Sequence, residues 1–180
     1  MARHGFGYTG GMLEYDVFNE TTLDKDEVIE KIRKEGQYLP YRDAMEVAKR
    51  NQKIGSDPTL PERDFAADLR DGVARSLGID PEDSALRYYT AVNSHFDYSH
   101  GVDAFFEYDK NGITHHVTLD ATGNPDKTTG KANIIIQFPD GPPSDLDKNP
   151  VRDTMDKLSA VIADIFKRGD FKRKDSFIIE

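Results

Sequence analysis

From Leu23 onward, apolar positions recur at helical spacing; after Leu86 they switch to alternation. Asp24 followed by Glu27 forms a capping box, with Leu23 able to pack on Val28, so a helix starts here. Val28, Ile29 and Ile32 make its apolar stripe and Gly36 ends it. A more polar second helix is expected from about Tyr41 to Ile54, stopped by Gly55. Pro61 opens a third, in which Phe65, Leu69, Val73 and Leu77 fall at successive i+4 positions before Gly78.

The alternating stretches predict four strands: Leu86 to Asn93, Val102 to Tyr108, Thr114 to Thr122, and Lys131 to Phe138. Asp109-Lys110-Asn111-Gly112 is a strong hairpin turn, since Asn-Gly readily takes positive φ. Gly123 to Gly130 is expected to be a second hairpin loop, joining the third strand to the fourth. A long helix follows, with Asn149 as cap, Pro150 in the first turn, and Val151, Met155, Leu158, Ile162 and Ile165 as its buried stripe. Gly169 terminates it, and Phe177-Ile178-Ile179 could add a last strand. The first twenty or so residues, including Phe6, Tyr8, Tyr15 and Phe18, show no sustained period and read as a docked arm or a loosely ordered one.

This order gives an α/β (α+β-like) fold: a central mixed sheet of four to five strands flanked by helices, with a helical N-terminal third. Residues 1–58 are expected to form an arm and helices packed on a core at 59–180, the whole making one domain.

Composition narrows the function classes. The net charge of -9 excludes a generally basic surface for nucleic acid, although a local patch at Lys167-Arg168 and Lys172-Arg173-Lys174 is compatible with it. Those cations equally suit a helix C-terminus and a solvated tail. With no cysteine there is no disulfide and no thiolate metal site. No run approaches the ~18 apolar residues of a membrane span, and the N-terminus lacks the apolar stretch of a signal peptide. A cytoplasmic location with no membrane partner is the expectation.

Strand parity identifies candidate chemistry. Asp103, Phe105 and Glu107 share one face of the second strand, opposite Val102, Ala104, Phe106 and Tyr108. In the third strand Asp120 shares its face with His116, Thr118 and Thr122. Aspartate packs poorly in strands, and two aspartates at facing ends of a hairpin repel unless a cation or proton intervenes. Oxygen ligands of this kind suit Mg or Mn. His95, Asp97 and His100, expected in one loop, together with His115-His116 form a competing set suited to zinc or iron, with His116 the one that shares Asp120's parity. Local hydrogen bonding is the ordinary role of such histidines.

Gly101-Val102-Asp103-Ala104-Phe105-Phe106-Glu107-Tyr108 followed by Val117-Thr118-Leu119-Asp120-Ala121-Thr122 resembles the core of the PD-(D/E)XK nuclease superfamily over about Leu60 to Phe166. The resemblance implies a Mg- or Mn-dependent phosphodiester hydrolase acting on nucleic acid, with Asp103 and Asp120 as metal ligands and catalytic residues. Val102 stands where that family has Pro, and Thr122 where it has the motif Lys. A short loop rather than a helix follows the motif strand. A displaced lysine, Lys131 or Lys127, would then substitute; across a hairpin at Gly123 to Gly130, Lys131 would face Thr122. Helix three could supply one more acidic group from Glu62, Asp64 or Asp68, which also suit a helix N-terminus on electrostatic grounds alone. A non-catalytic interaction protein that kept the sheet and lost the lysine, and a His/Asp metal hydrolase, are the alternatives.

Overall fold

The protein is described by a computed structural model over residues 10–180. Phe6 and Tyr8 lie outside the described residues. Among those described, the chain forms α1 (Gly10–Phe18), α2 (Lys25–Lys34), α3 (Tyr41–Arg50), α4 (Asp64–Leu77), β1 (Leu86–Thr90), α5 (His95–His100), β2 (Ala104–Lys110), β3 (Ile113–Thr122), β4 (Ile134–Gln137), α6 (Asn149–Arg168) and β5 (Asp175–Ile178). The five strands make one mixed sheet in sequential order with helices against it, the α/β architecture that the hydropathy pattern implies.

Local chemistry accounts for several of the element boundaries. The Asp24 side chain accepts the Glu27 N–H at 3.0 Å and starts α2. Asn111 and Gly112, with φ of 54 and 75, turn β2 into β3 as a primed hairpin. Arg70, fully buried on α4, donates to the carbonyls of Pro81, Asp83 and Leu86 and so ties the incoming connection to β1. Asn149 is the first residue of α6 rather than its cap, a position taken by Lys148 without a side-chain bond.

Both faces of the sheet are covered. On one, α4 and α6 pack with α1 against Ala104, Phe106, Val117, Leu119, Ile134 and Ile136. On the other, Met45 of α3 and Phe96 of α5 meet Phe105, Ala91 and Ala132. Val102 belongs to this second cluster, not with Ala104, because it precedes β2 and escapes the strand's alternation.

Three further expectations are corrected. The stretch His95–His100 is a helix, not a loop: Ser94 Oγ accepts the N–H groups of Phe96 and Asp97 and nucleates it. The N-terminal arm contains α1, anchored by buried Leu13, Val17 and Phe18. The third correction concerns direction. β4 runs parallel to β3, with Leu119 beside Ile134 and Thr122 beside Gln137, so residues 123–133 are a crossover and no hairpin forms there. Hydrophobic pattern carries no strand direction. Ile134-Ile135-Ile136, buried on both faces, is the continuous apolar run that an interior parallel strand requires. Among the described residues no helix is long and apolar enough to cross a membrane.

Candidate metal centre

The β2–β3 register ends with Ala104 opposite Leu119, and Asp103 immediately precedes β2 beside that last pair. The Asp103 N–H donates to the Leu119 carbonyl at 2.9 Å, and its Oδ2 accepts the Ala121 N–H at 2.7 Å. This carboxyl is therefore fixed at the strand end by two backbone bonds around it. Asp97 comes from α5, where its Oδ2 accepts the Asn93 N–H at 3.0 Å. Asn93 has φ of 68, a left-handed conformation that an L side chain rarely takes. Its amide also donates to Glu20 at 2.9 Å and accepts from the Tyr98 hydroxyl at 3.1 Å. Glu14 reaches in from α1. One oxygen from each of Glu14, Asp97 and Asp103 lies within 4.8 Å of the other two.

Asp120 adjoins this group, close enough for its charge to bear on Asp103 and Glu14. Its two oxygens also receive the Lys127 ammonium, at 2.9 Å (Oδ1) and 2.7 Å (Oδ2). Lys127 sits in the crossover loop, which Gln137 holds by donating to the carbonyls of Pro125 (2.7 Å) and Lys127 (2.9 Å). The loop closes on Asp120 so tightly that a Cβ on Gly130 would stand 3.4 Å from its Oδ2.

The electrostatics follow from crowding. Burial, then the charges of Glu14, Asp97 and Asp120, push the Asp103 carboxyl well above the ordinary aspartate range. Burial and Glu14 push Asp97 up to about 7. Glu14 is raised by burial and by Asp120, and Asp120 by burial, against the opposing pull of Lys127. Four carboxyls in this space cannot all ionise without a compensating cation, and without one some must hold protons. The donor set is all oxygen, with backbone amides fixing one oxygen each of Asp97 and Asp103. It fits a hard divalent cation such as Mg2+ or Mn2+.

Of the residues singled out in the sequence, Asp103, Asp120 and Lys127 come together here. Lys131 does not face Thr122, because β4 is parallel; its ammonium donates to the Ser99 carbonyl at 2.9 Å. Thr122 Oγ1 accepts the Asn124 N–H at 3.2 Å and shapes the start of the crossover. Glu62 accepts from Asn19 at 2.9 Å. His100 and His116 are occupied elsewhere, whereas both ring nitrogens of buried His95 have no hydrogen-bond partner among the described residues. His100 Nε2 meets the Leu39 carbonyl at 2.9 Å, and the ring packs against Tyr38 and Tyr41. His116 Nε2 lies 3.0 Å from Glu107, which also pairs with Lys49 at 2.8 Å and Arg87 at 3.3 Å. Burial opposes ionisation of Glu107, yet its bonds from His116 and Lys49 hold it down at about 2. In the C-terminal basic stretch, Arg168 pairs with Asp164, and Arg173 with Asp164 and Asp175.

Glu14 and Asp97 are the residues that sequence reasoning did not bring to Asp103. Signals for both exist: Leu13, Val17 and Phe18 fall on one helical face beside Glu14, and Ser94 three residues before Asp97 is a helix-start pattern. Comparison with protein-family models, with curated proteins and with solved structures gives no match.

Proposed function

We propose that the protein is a divalent-metal-dependent phosphodiesterase of nuclease type, a divergent relative of the PD-(D/E)XK enzymes. Glu14, Asp97 and Asp103 would hold Mg2+ or Mn2+, with Asp120 beside them. The observation that carries this reading is the convergence of those three carboxylates from α1, α5 and the start of β2. The Asp103–Asp120 juxtaposition at the β2–β3 hairpin supports it, as do α4 before the sheet and α6 after β4. Bound metal would supply a more acidic water and a counter-charge for phosphoryl oxygens.

The chain's own residues have separable tasks. Asp103, fixed by the Ala121 N–H, keeps one oxygen turned to the cluster. Asp97 is oriented by Asn93. Lys127 is the lysine that fits the role of the missing motif lysine, since it already lies against Asp120 while Lys131 is bonded to Ser99. Its ammonium can stabilise negative charge that develops on a phosphoryl or leaving oxygen.

The test is cleavage of single- and double-stranded DNA and RNA with Mg2+ or Mn2+, by the parent and by Asp103→Asn. Metal-dependent cleavage that falls at least a hundredfold in the variant supports the reading. No cleavage of any of these by the parent favours the second reading, a non-catalytic interaction protein. One observation speaks for that second reading: Thr122 holds the motif position, and the Lys127 ion pair already neutralises part of the acidic group. A His/Asp hydrolase draws no support from imidazoles bonded to Leu39 and Glu107.

A further inference from the structure

We propose that β5 is a dimerisation edge: it pairs antiparallel with β5 of a second copy of this chain, joining two five-stranded sheets into one. β1 and β5 are the two edges of the sheet, and they are finished differently. At β1 the outward backbone groups are taken up within the chain. Tyr88 N–H donates to the Pro58 carbonyl at 2.8 Å, and Arg70 donates to the Leu86 carbonyl at 3.0 Å. The Gln52 amide spans Thr90, accepting its N–H at 3.3 Å and donating to its carbonyl at 2.8 Å. At β5, Asp175 and Ile179 donate inward to the Asn133 and Gln137 carbonyls at 3.0 and 2.9 Å. Alternation then turns the N–H and C=O groups of Ser176 and Ile178 away from the sheet. Among the described residues none bonds to them. An open row of this kind is a template for one more strand. No proline interrupts Lys172 to Glu180, and the Lys174 ammonium is turned back onto the carbonyls of Lys131 and Ala132.

The occupant is a second copy because the edge is complementary to itself. Phe177 and Ile179 pack into the core on the α6 side. Lys174, Ser176, Ile178 and Glu180 alternate with them and are exposed, Ile178 at 46% and outside both core clusters. A two-fold axis through Phe177 sets Ser176 opposite Ile178 and Lys174 opposite Glu180, each pair occurring twice. All four residues carry outward backbone groups by alternation, so every one of these pairs is of the hydrogen-bonded type. Opposed side chains then stand about 5 Å apart at Cβ, within reach of an ion pair, and the two Ile178 side chains meet on the diagonal. The charges are available for this. Among the described residues neither Lys174 nor Glu180 has an ion-pair partner within 4.0 Å, whereas Arg173 and Asp175 are already paired with each other and Arg173 also with Asp164.

The experiment is sedimentation velocity on the full chain from about 5 μM to about 500 μM, with amide exchange by NMR at both ends of that range. The parent should pass from monomer to dimer across it, since so short a strand pair belongs among small, weak interfaces. Exchange of the Ser176 and Ile178 amides should slow about tenfold at the higher concentration, while Tyr88 stays unchanged. Ser176→Pro removes one outward N–H and leaves the bonds to β4 in place; it should melt close to the parent and remain monomeric. Glu180→Lys and Lys174→Glu should each remain monomeric, because like charges then face one another. Their mixture should form a heterodimer in which both ion pairs are restored in reverse. A dimer that survives Ser176→Pro, or a mixture of the two folded charge variants that stays monomeric, would overturn the inference. A parent that is monomeric throughout also overturns it and leaves the edge to a strand of a different protein.

Discussion

Lys127 spans both oxygens of Asp120, 2.9 Å from Oδ1 and 2.7 Å from Oδ2, across a crossover loop rather than along a strand. The carboxylate lies within a stretch of β3 that is buried from Val117 to Ala121, and Gln137 pins the loop carbonyls of Pro125 and Lys127 that carry the lysine to it. The ion pair is thus built by β4 as much as by β3.

Gln137→Leu should therefore act through Lys127. It keeps the side chain's bulk and leaves two loop carbonyls without their donor, at a cost of about 1–3 kcal/mol. Metal-dependent cleavage should fall about tenfold, as in Lys127→Met, while Mn2+ affinity stays near the parent's. Paired kinetics and calorimetry on the two variants and their double mutant check this. Fully additive losses in the double mutant would show that Gln137 does not work by placing Lys127.

Stability of the metal-free protein should fall as pH rises across neutrality. The Asp97 carboxyl titrates at about 7 when folded against an ordinary 3.8, so its proton is held more tightly in the folded state. A group raised in this way contributes fully below the unfolded value, and that contribution is lost as pH climbs through the folded one. Each such proton adds a slope of about 1.4 kcal/mol per pH unit within the window. Glu14, Asp103 and Asp120 shift in the same direction. Melts in EDTA from pH 5 to pH 8 should show the decline, and Asp97→Asn should flatten part of it. At the acid end the sign reverses: Glu107, held at about 2, gives stability that is lost as pH falls from the ordinary 4.5 toward 2.

Arg70→Met should destabilise the fold by about 3 kcal/mol without touching metal binding. The side chain is 1% exposed, and its guanidinium serves three carbonyls of the α4–β1 connection. Methionine fills much of the volume and strands those acceptors. Urea unfolding measures the cost. A loss under about 0.5 kcal/mol would mean that water takes over the guanidinium's bonds.

Much of the frame is legible in the residues themselves. Asp24 with Glu27, Asn111-Gly112, and the i+4 ladder from Phe65 to Leu77 each carry a local cause that tertiary structure does not override. The site is less so. Asp103 comes close to Asp120 because it leads directly into β2, which is joined to β3 by a turn whose type the sequence specifies. Lys131 fails as the motif lysine's replacement because parallel pairing of β3 and β4 cannot be told from antiparallel pairing by hydropathy. Glu14 and Asp97 are hidden for another reason. They sit on short helices of nine and six residues, whose apolar periods span too few turns to register, and they meet Asp103 only through packing. Residue type points to His100, and residue type with strand parity to His116; their bonds to Leu39 and Glu107 are tertiary facts.

The most direct test of the metal centre is thermal unfolding with EDTA against millimolar Mn2+, for the parent, Glu14→Gln, Asp97→Asn and Asp103→Asn. Each amide keeps an oxygen and removes a charge. At about 100-fold over its dissociation constant the ion should stabilise the parent by roughly 2.7 kcal/mol, a rise of about 5–10 °C for a chain of this size. In EDTA each variant should melt at or above the parent, because a crowded charge is gone, and the Mn2+ response should shrink or vanish in all three. A parent indifferent to Mn2+, or three variants that gain as much from it as the parent does, would contradict the metal centre.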